Sequence, residues 1–174
     1  VIEEAKNKWF EVIDLEGENA NKENFEREIG NVIFFIGGGH GNVDCFTGYN
    51  NEILIKACEN DNLLSNKIVY LLSCLTGALL GQSMVNKGAI CYLGYNREFV
   101  FIGLEFPNSY AASFMRPAIV IPIYLINGYT AKEAYKAAID QFNKEIEYWS
   151  NSNDPYASEI IKWLIWDRDS LVLY

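Results

Sequence analysis

The sequence has few of the residues from which proteins build metal sites. It contains one histidine and four cysteines, and no two of the cysteines form a Cys-x-x-Cys pair. A structural zinc site needs four Cys or His ligands at characteristic spacings, so the sequence predicts no zinc site. We therefore expect function without a metal ion and without an organic cofactor.

Positive charge and long apolar runs are also scarce. The chain has 14 Lys and Arg against 23 Asp and Glu, a net charge of -9. Phosphate binding rests on clustered Lys and Arg, and no such cluster is present, so nucleic acid is not an expected partner. A bilayer span needs about 20 consecutive apolar residues. The longest candidate, 117–127, is shorter and contains Pro122, so no membrane association is expected.

A leader-like segment is missing from the N-terminal region as well. No basic stretch is followed there by an apolar core, so the default prediction is a reducing, cytoplasmic compartment. A processed fragment would have lost such a leader, and its compartment would then be extracellular.

What the sequence does contain is a pattern of alternating strands and helices. Its 174 residues, half of them hydrophobic, predict a single domain spanning residues 1–174. The alternation predicts an α/β fold with a mainly parallel central sheet. We expect strands at 9–15, 32–36, 68–72, 89–94 and 170–173, and helices at 2–8, 21–29, 52–59, 75–86, from Thr130 onward, and at 156–166.

Two of these strands end in residues that can perform chemistry. The apolar run 32–36 leads into the glycine-rich run 37–41, which contains His40, and the run 68–72 leads into Ser73 and Cys74. Ligands of parallel sheets bind beyond the carboxyl ends of the strands, so we expect His40 and Cys74 to face one cleft. A thiol is mostly protonated at neutral pH, and a helix N-terminus after Cys74 or a nearby imidazole would activate it.

Alternative interpretations of these residues stay open. His40 alone would more often be a hydrogen-bonded core residue. Cys45 is a rival nucleophile because it follows His40 in the same loop, although no strand end presents it. Cys58 on a predicted helix face and Cys91 in a predicted strand are expected to be buried packing residues. A phosphate loop would need a Lys-Ser/Thr pair, which is absent.

A hydrophobic strand ending in His-Gly, followed by a second ending in Ser-Cys, resembles the caspase-like superfamily of cysteine peptidases. The spacing of the two motifs is closer to that of the gingipain-like and clostripain-like branch than to that of the caspases. The small-residue strand 88–94 and the segment 166–174 are also gingipain-like. The resemblance spans roughly residues 30–174 and implies a three-layer sandwich around a mainly parallel sheet.

The resemblance also implies roles for individual residues in a cysteine endopeptidase that acts on a peptide or protein substrate. Cys74 would be the nucleophile and His40 the general acid and base. The backbone amides of Gly41 and Cys74 would form the oxyanion hole. The loop after Gly94 resembles a wall of the specificity pocket. The residues expected to contact the substrate are Gly39, Ser73, Tyr95 and Asn96.

Two further functions are compatible with the same residues. A caspase-like module can serve protein interaction or regulation with little turnover, and a small-molecule acyl-transfer enzyme can use the same Cys/His dyad.

The helix at 2–8 has no strand pattern before it, whereas in the superfamily a first strand precedes that helix and lies inside the sheet. We therefore expect the sequence to be a fragment whose sheet lacks its first strand. Unpaired strand edges are costly, so a further segment or chain is expected to complete the sheet.

Overall fold

The computed structural model describes residues 1–103 and 108–174. Strands lie at β1 (Phe34–Gly38), β2 (Cys45–Thr47), β3 (Ile53–Lys56), β4 (Ile68–Leu72), β5 (Cys91–Tyr95) and β6 (Leu171–Leu173). Helices lie at α1 (Ile2–Asn7), α2 (Lys22–Glu28), α3 (Leu80–Asn86), α4 (Asn108–Ile126), α5 (Ala131–Ser150) and α6 (Ala157–Ser170).

The central sheet has four strands in the order β1-β4-β5-β6. The first three are parallel and β6 runs antiparallel to β5, while β2 and β3 form a separate antiparallel hairpin. The predicted α/β class with a mainly parallel sheet is therefore confirmed.

Both faces of the sheet are covered by other elements. Alternate residues of a strand point to opposite faces. Phe34 and Ile36 accordingly pack into the cluster formed with α4, α5 and α6, whereas Phe35 packs into the cluster formed with α2, α3 and the β2–β3 hairpin. This double burial explains why the central strands read as continuous apolar runs rather than as alternating patterns.

The helical layer consists of α4, α5 and α6, of which α5 and α6 are predicted from the sequence and α4 is not. Thr130 and Glu133 form a capping box at the predicted start of α5: the Thr130 amide donates to Glu133 Oε2 at 2.8 Å, and the Glu133 amide donates to Thr130 Oγ1 at 3.3 Å. Ala134 and Phe142, on the predicted apolar face of α5, are fully buried. Within the described residues, every helix falls short of the length or hydropathy of a bilayer-spanning segment.

Two predicted elements near the N-terminal half are wrong. Residues 52–59 form strand β3 and a turn rather than a helix, because Leu54 and Ile55 are buried in pairing with β2. The turn is held by side chains, since the Lys56 amide donates to Asn60 Oδ1 and the Cys58 amide to Asp61 Oδ1. Local Asn and Asp hydrogen bonds of this kind compete with helix formation.

The predicted strand at 9–15 is the second error. These residues form no strand, and the ring of Phe10 packs edge-on against Phe34. The outer edge of β1 has no strand partner among the residues that the structure describes. Since the Ile33 carbonyl and the Gly39 amide bond to β4, the backbone groups of residues 34, 36 and 38 point away from the sheet.

Candidate active site

The pairing of β1 with β4 brings the two predicted catalytic segments together. The strands are parallel neighbours, Gly38 is paired with Leu72, and the Gly39 amide donates to the Leu72 carbonyl at 3.3 Å. His40 and Cys74 each follow two residues after this last pair, at the same edge of the sheet. The prediction that these strands are adjacent and parallel is confirmed.

The residues just beyond the strand ends are in direct contact. A Cβ atom placed on Gly41 would lie 2.7 Å from the carbonyl oxygen of Cys74 and 2.6 Å from Cγ2 of Thr76. Real Cβ atoms do not approach so closely, so only glycine fits between the two segments. This contact fixes the main chain next to His40 against the main chain of Cys74.

The glycine loop, residues 37–41, is held mainly by the β2–β3 hairpin. A Cβ on Gly37 would lie 2.8 Å from the ring of Phe46, and one on Gly39 would lie 2.8 Å from the Thr47 carbonyl. The His40 carbonyl accepts from the Thr47 amide at 3.0 Å. These glycines therefore serve close packing within the protein, while the exposed side of the loop carries the His40 side chain.

Cys74 lies in a turn rather than at the start of a helix. Residues 73–79 form this turn, which includes Leu75 at φ +64°, and α3 begins only at Leu80. The predicted helix at 75–86 is therefore shorter than expected. Because no helix opens at Cys74, the positive end of a helix dipole is not placed beside its sulfur.

The Cys74 side chain is half-buried and faces the segment that follows β5. Residues 96–100 of this segment are called the 96–100 loop. The thiol donates a long hydrogen bond, 3.9 Å, to the Phe99 carbonyl. The neighbouring Leu75 amide donates to the Arg97 carbonyl at 2.9 Å. The candidate nucleophile thus lies between the glycine loop on one side and the 96–100 loop on the other.

A buried hydroxyl network fixes the turn that carries Cys74. The Ser73 and Thr76 hydroxyl oxygens are 2.7 Å apart, and the Tyr92 hydroxyl donates to Thr76 Oγ1 at 2.8 Å. The Ser73 side chain is 3% exposed. Its hydroxyl is thus engaged within the protein, and the predicted contact of Ser73 with substrate would have to be made by its backbone.

The Gly41 and Cys74 amides are predicted to form an oxyanion hole, and they lie on either side of the contact between these two residues. In the described part of the chain, the hydrogen bonds around the junction use neither the Gly41 nor the Cys74 amide. Uncommitted backbone N–H groups are what a developing oxyanion requires. Two open grooves lie on the surface of α5, and neither is lined by Gly41 or Cys74.

The predicted substrate residues after β5 are partly enclosed. Tyr95 is fully buried, and burial raises the pKa of its hydroxyl well above the usual value. Asn96 is half-buried and its amide donates to the Ser170 carbonyl at 2.9 Å. A contact of Tyr95 with substrate would therefore involve its main chain, whereas Arg97 beyond it is exposed.

The other three cysteines differ from Cys74 in their surroundings. Burial, followed by the charge of Asp44, raises the pKa of the Cys45 thiol, which disfavours its reactive thiolate. Cys91 is buried as predicted, and burial raises its pKa. Cys58 is exposed, so the prediction that it is a packing residue is wrong. Within residues 1–103 and 108–174, no three acidic, His or Cys side chains cluster around a possible metal position.

No protein-family model, curated protein or solved structure matches this chain. The residues around Cys74 therefore have to be judged by their geometry. Two of them are missed by the sequence patterns: Thr76, which anchors the turn, and Asp167, which is buried beside the 96–100 loop. Only Asp167 leaves a signal in the sequence, because it continues the apolar stripe of Ile160 and Leu164 on α6.

Proposed function

We propose that this chain is a cysteine endopeptidase with a caspase-like three-layer sandwich, in which Cys74 is the nucleophile and His40 the general acid and base. The observation that carries the proposal is the parallel register of β1 and β4. It supports the pairing of His40 with Cys74 because both follow the same paired position of adjacent strands.

In the proposed reaction, the Cys74 thiol gives its proton to His40 and its sulfur attacks the carbonyl carbon of the peptide bond. The Gly41 and Cys74 amides donate hydrogen bonds to the resulting oxyanion. His40 then protonates the leaving amine, and an acyl-enzyme remains. Water, deprotonated by His40, hydrolyses the thioester and releases the thiol. General acid-base catalysis of this kind typically contributes about 10² to 10⁴ in rate.

The layered architecture supports the same assignment. Helices α4, α5 and α6 cover one face of the sheet, and α2, α3 and the hairpin cover the other. The candidate residues lie beyond the carboxyl ends of the parallel strands, where ligands of such sheets bind.

The decisive experiment combines peptide-library cleavage with labelling by a peptidyl electrophile, read by peptide-level mass spectrometry. The parent is expected to cleave and to be labelled at Cys74, and both are lost in Cys74→Ala. His40→Ala should slow the labelling of Cys74 while leaving that of the exposed Cys58 unchanged. Cys45→Ala is the matched control and should retain most activity. Equal cleavage by Cys74→Ala and parent would refute the nucleophile assignment.

One observation favours a second function, that of an interaction or regulatory module with little turnover. The Cys74 thiol donates to the Phe99 carbonyl, an acceptor that does not take up its proton. If folded parent protein is neither labelled at Cys74 nor active on any peptide library, this second function is supported and the peptidase proposal fails.

We also propose that a further strand, from another segment or chain, pairs with the outer edge of β1. Two observations support this: the backbone groups of residues 34, 36 and 38 have no strand partner in the described part of the chain, and Ile33 is 60% exposed. Hydrogen exchange is the test: the Phe34 and Ile36 amides should exchange rapidly in the isolated protein and slowly in a complex. Slow exchange in the isolated protein would contradict the proposal.

A further inference from the structure

The C-terminal end of α6 holds the 96–100 loop through three side-chain contacts. The Trp166 Nε1 donates to the Glu98 carbonyl at 2.9 Å, and the Arg97 guanidinium lies 4.9 Å from the centre of the Trp166 ring. The Val100 amide donates to Oδ1 of Asp167 at 2.9 Å. Residues that are distant in sequence thus fix the position of this loop.

Asp167 differs from the other two contacts because it is buried. Its side chain is inaccessible to solvent, and Oδ2 has no hydrogen-bond partner among the described residues. Most buried carboxylates pair with a cation, yet within residues 1–103 and 108–174 this carboxyl accepts a hydrogen bond only from the backbone amide of Val100. A buried acid kept without a cationic partner is costly, so a role beyond packing has to account for it.

The loop that Asp167 holds is the one that contacts the candidate nucleophile. The Phe99 carbonyl accepts from the Cys74 thiol, and the Arg97 carbonyl accepts from the Leu75 amide. Both acceptors are within three residues of Val100. A displacement of Val100 would therefore move the groups that orient Cys74.

We propose that Asp167 is a positioning residue for Cys74, acting through its bond to the Val100 amide and the carbonyls of Arg97 and Phe99. The orientation of the Cys74 side chain is then set from α6 through the 96–100 loop. The proposal rests on the proposed function only for its consequence on peptide cleavage. The claim that Asp167 orients the Cys74 thiol does not depend on peptidase activity.

The protonation state of Asp167 gives the positioning a pH dependence. Burial raises the pKa of its carboxyl to about 8, with the Val100 amide acting in the opposite direction. The carboxyl is therefore mostly neutral at pH 7 and becomes charged in mildly alkaline solution. Among the described residues, no cation pairs with a charged carboxylate at this site, which favours opening of the loop.

Two tyrosine hydroxyls near Asp167 stay neutral over this range. Tyr95 on β5 and Tyr70 behind it on β4 are buried, and burial raises the pKa of both hydroxyls. The Arg97 guanidinium lies over the Trp166 ring. Along α6, Arg168 and Asp169 form a pair with each other.

The test compares Asp167→Asn, Asp167→Ala and the exposed control Asp169→Ala in the full chain. Two readouts need no peptidase activity: the hydrogen-exchange protection of Val100, and the rate at which iodoacetamide alkylates Cys74 relative to Cys58. At neutral pH, Asp167→Asn keeps an acceptor for the Val100 amide and should behave as the parent does. Asp167→Ala should lose about tenfold in Val100 protection and change the Cys74 rate about tenfold.

The pH series decides the matter if Asp167→Ala fails to fold. Between about pH 6 and about pH 9 the parent should lose Val100 protection and Asp167→Asn should not, because its amide cannot ionise. Parallel behaviour of the two proteins, or an unchanged Cys74 rate in a folded Asp167→Ala, would overturn the proposal. If the parent cleaves no peptide but these readouts respond as expected, the peptidase proposal fails while the positioning role stands.

Discussion

Cys74 lies between two loops that are held in opposite ways. The glycine loop fits because side chains are missing: Cβ atoms on Gly37, Gly39 and Gly41 would each collide with neighbouring residues. The 96–100 loop is held because side chains are present, namely Trp166 and Asp167. The first loop should therefore be disrupted by adding atoms, and the second by removing them.

The largest effect is expected for Gly41→Ala. The added methyl would overlap the Cys74 carbonyl and Thr76, so we expect a loss of about 1–3 kcal/mol in the free energy of unfolding. Peptide cleavage should fall about 100-fold, since the Gly41 amide would be displaced. Gly38→Ala is the control, because nothing lies within 4 Å of a Cβ there. Equal urea midpoints for the two variants would show that the contact is loose.

Thr76→Val tests the turn that carries Cys74 and contacts both loops. It leaves the buried Ser73 and Tyr92 hydroxyls without their partner, which should lower the free energy of unfolding by about 2 kcal/mol. Thr47→Val serves as the comparison. The His40 carbonyl accepts from both the Thr47 hydroxyl and the Thr47 amide, so it keeps a partner when the hydroxyl is removed. Urea denaturation measures both losses. A loss in Thr47→Val as large as that in Thr76→Val would contradict the role of the hydroxyl network.

Asp167→Asn prevents ionisation of the side chain while keeping its size and an acceptor for the Val100 amide. The folded-state pKa is raised, so the parent binds more protons when folded than when unfolded, and its stability falls as pH rises toward about 8. The variant lacks this loss. Its advantage should grow by about 1.5 kcal/mol between about pH 6.5 and about pH 8, and level off above that range. Parallel stability curves from urea titrations would disprove the buried neutral carboxyl.

The smallest expected effect is that of Trp166→Phe. Losing the partly exposed bond to the Glu98 carbonyl should cost about 0.5–1 kcal/mol. Trp163→Phe is matched to it, because the Trp163 Nε1 donates to Glu159 within the same helix. Only Trp166→Phe should alter exchange at residues 98–100 and the alkylation rate of Cys74. Identical hydrogen-exchange maps for the two variants would show that Trp166 does not hold the 96–100 loop.

The elements that the sequence predicts well are those with strong local signals. The apolar runs at 32–36 and 68–72 match β1 and β4 within two residues, because strands buried on both faces need continuous apolar sequence. The Thr130 capping box places the start of α5 for a similar reason, since its two hydrogen bonds lie within one turn.

The elements that fail depend on distant partners. The spacing of Ile53, Leu54 and Ala57 fits a helical face, yet β3 forms because its partner β2 is available to pair with it. Helix α3 starts late because backbone amides before it bond to distant residues: the Gly77 amide donates to the Tyr95 carbonyl at 2.8 Å. The Phe99 carbonyl beside Cys74 has no sequence signal at all, because any residue supplies a carbonyl.

The position of β6 has a consequence for biosynthesis. This strand follows every other described element along the chain. The edge of β5 that pairs with β6 therefore stays unpaired until α4, α5 and α6 have been synthesised. Val172 then packs beside Gly77, and the Tyr174 hydroxyl donates to the Gly77 carbonyl at 2.8 Å. The turn that carries Cys74 is thus completed by residues made about a hundred positions later. A nascent chain on the ribosome would carry the thiol long before the turn that orients it is complete.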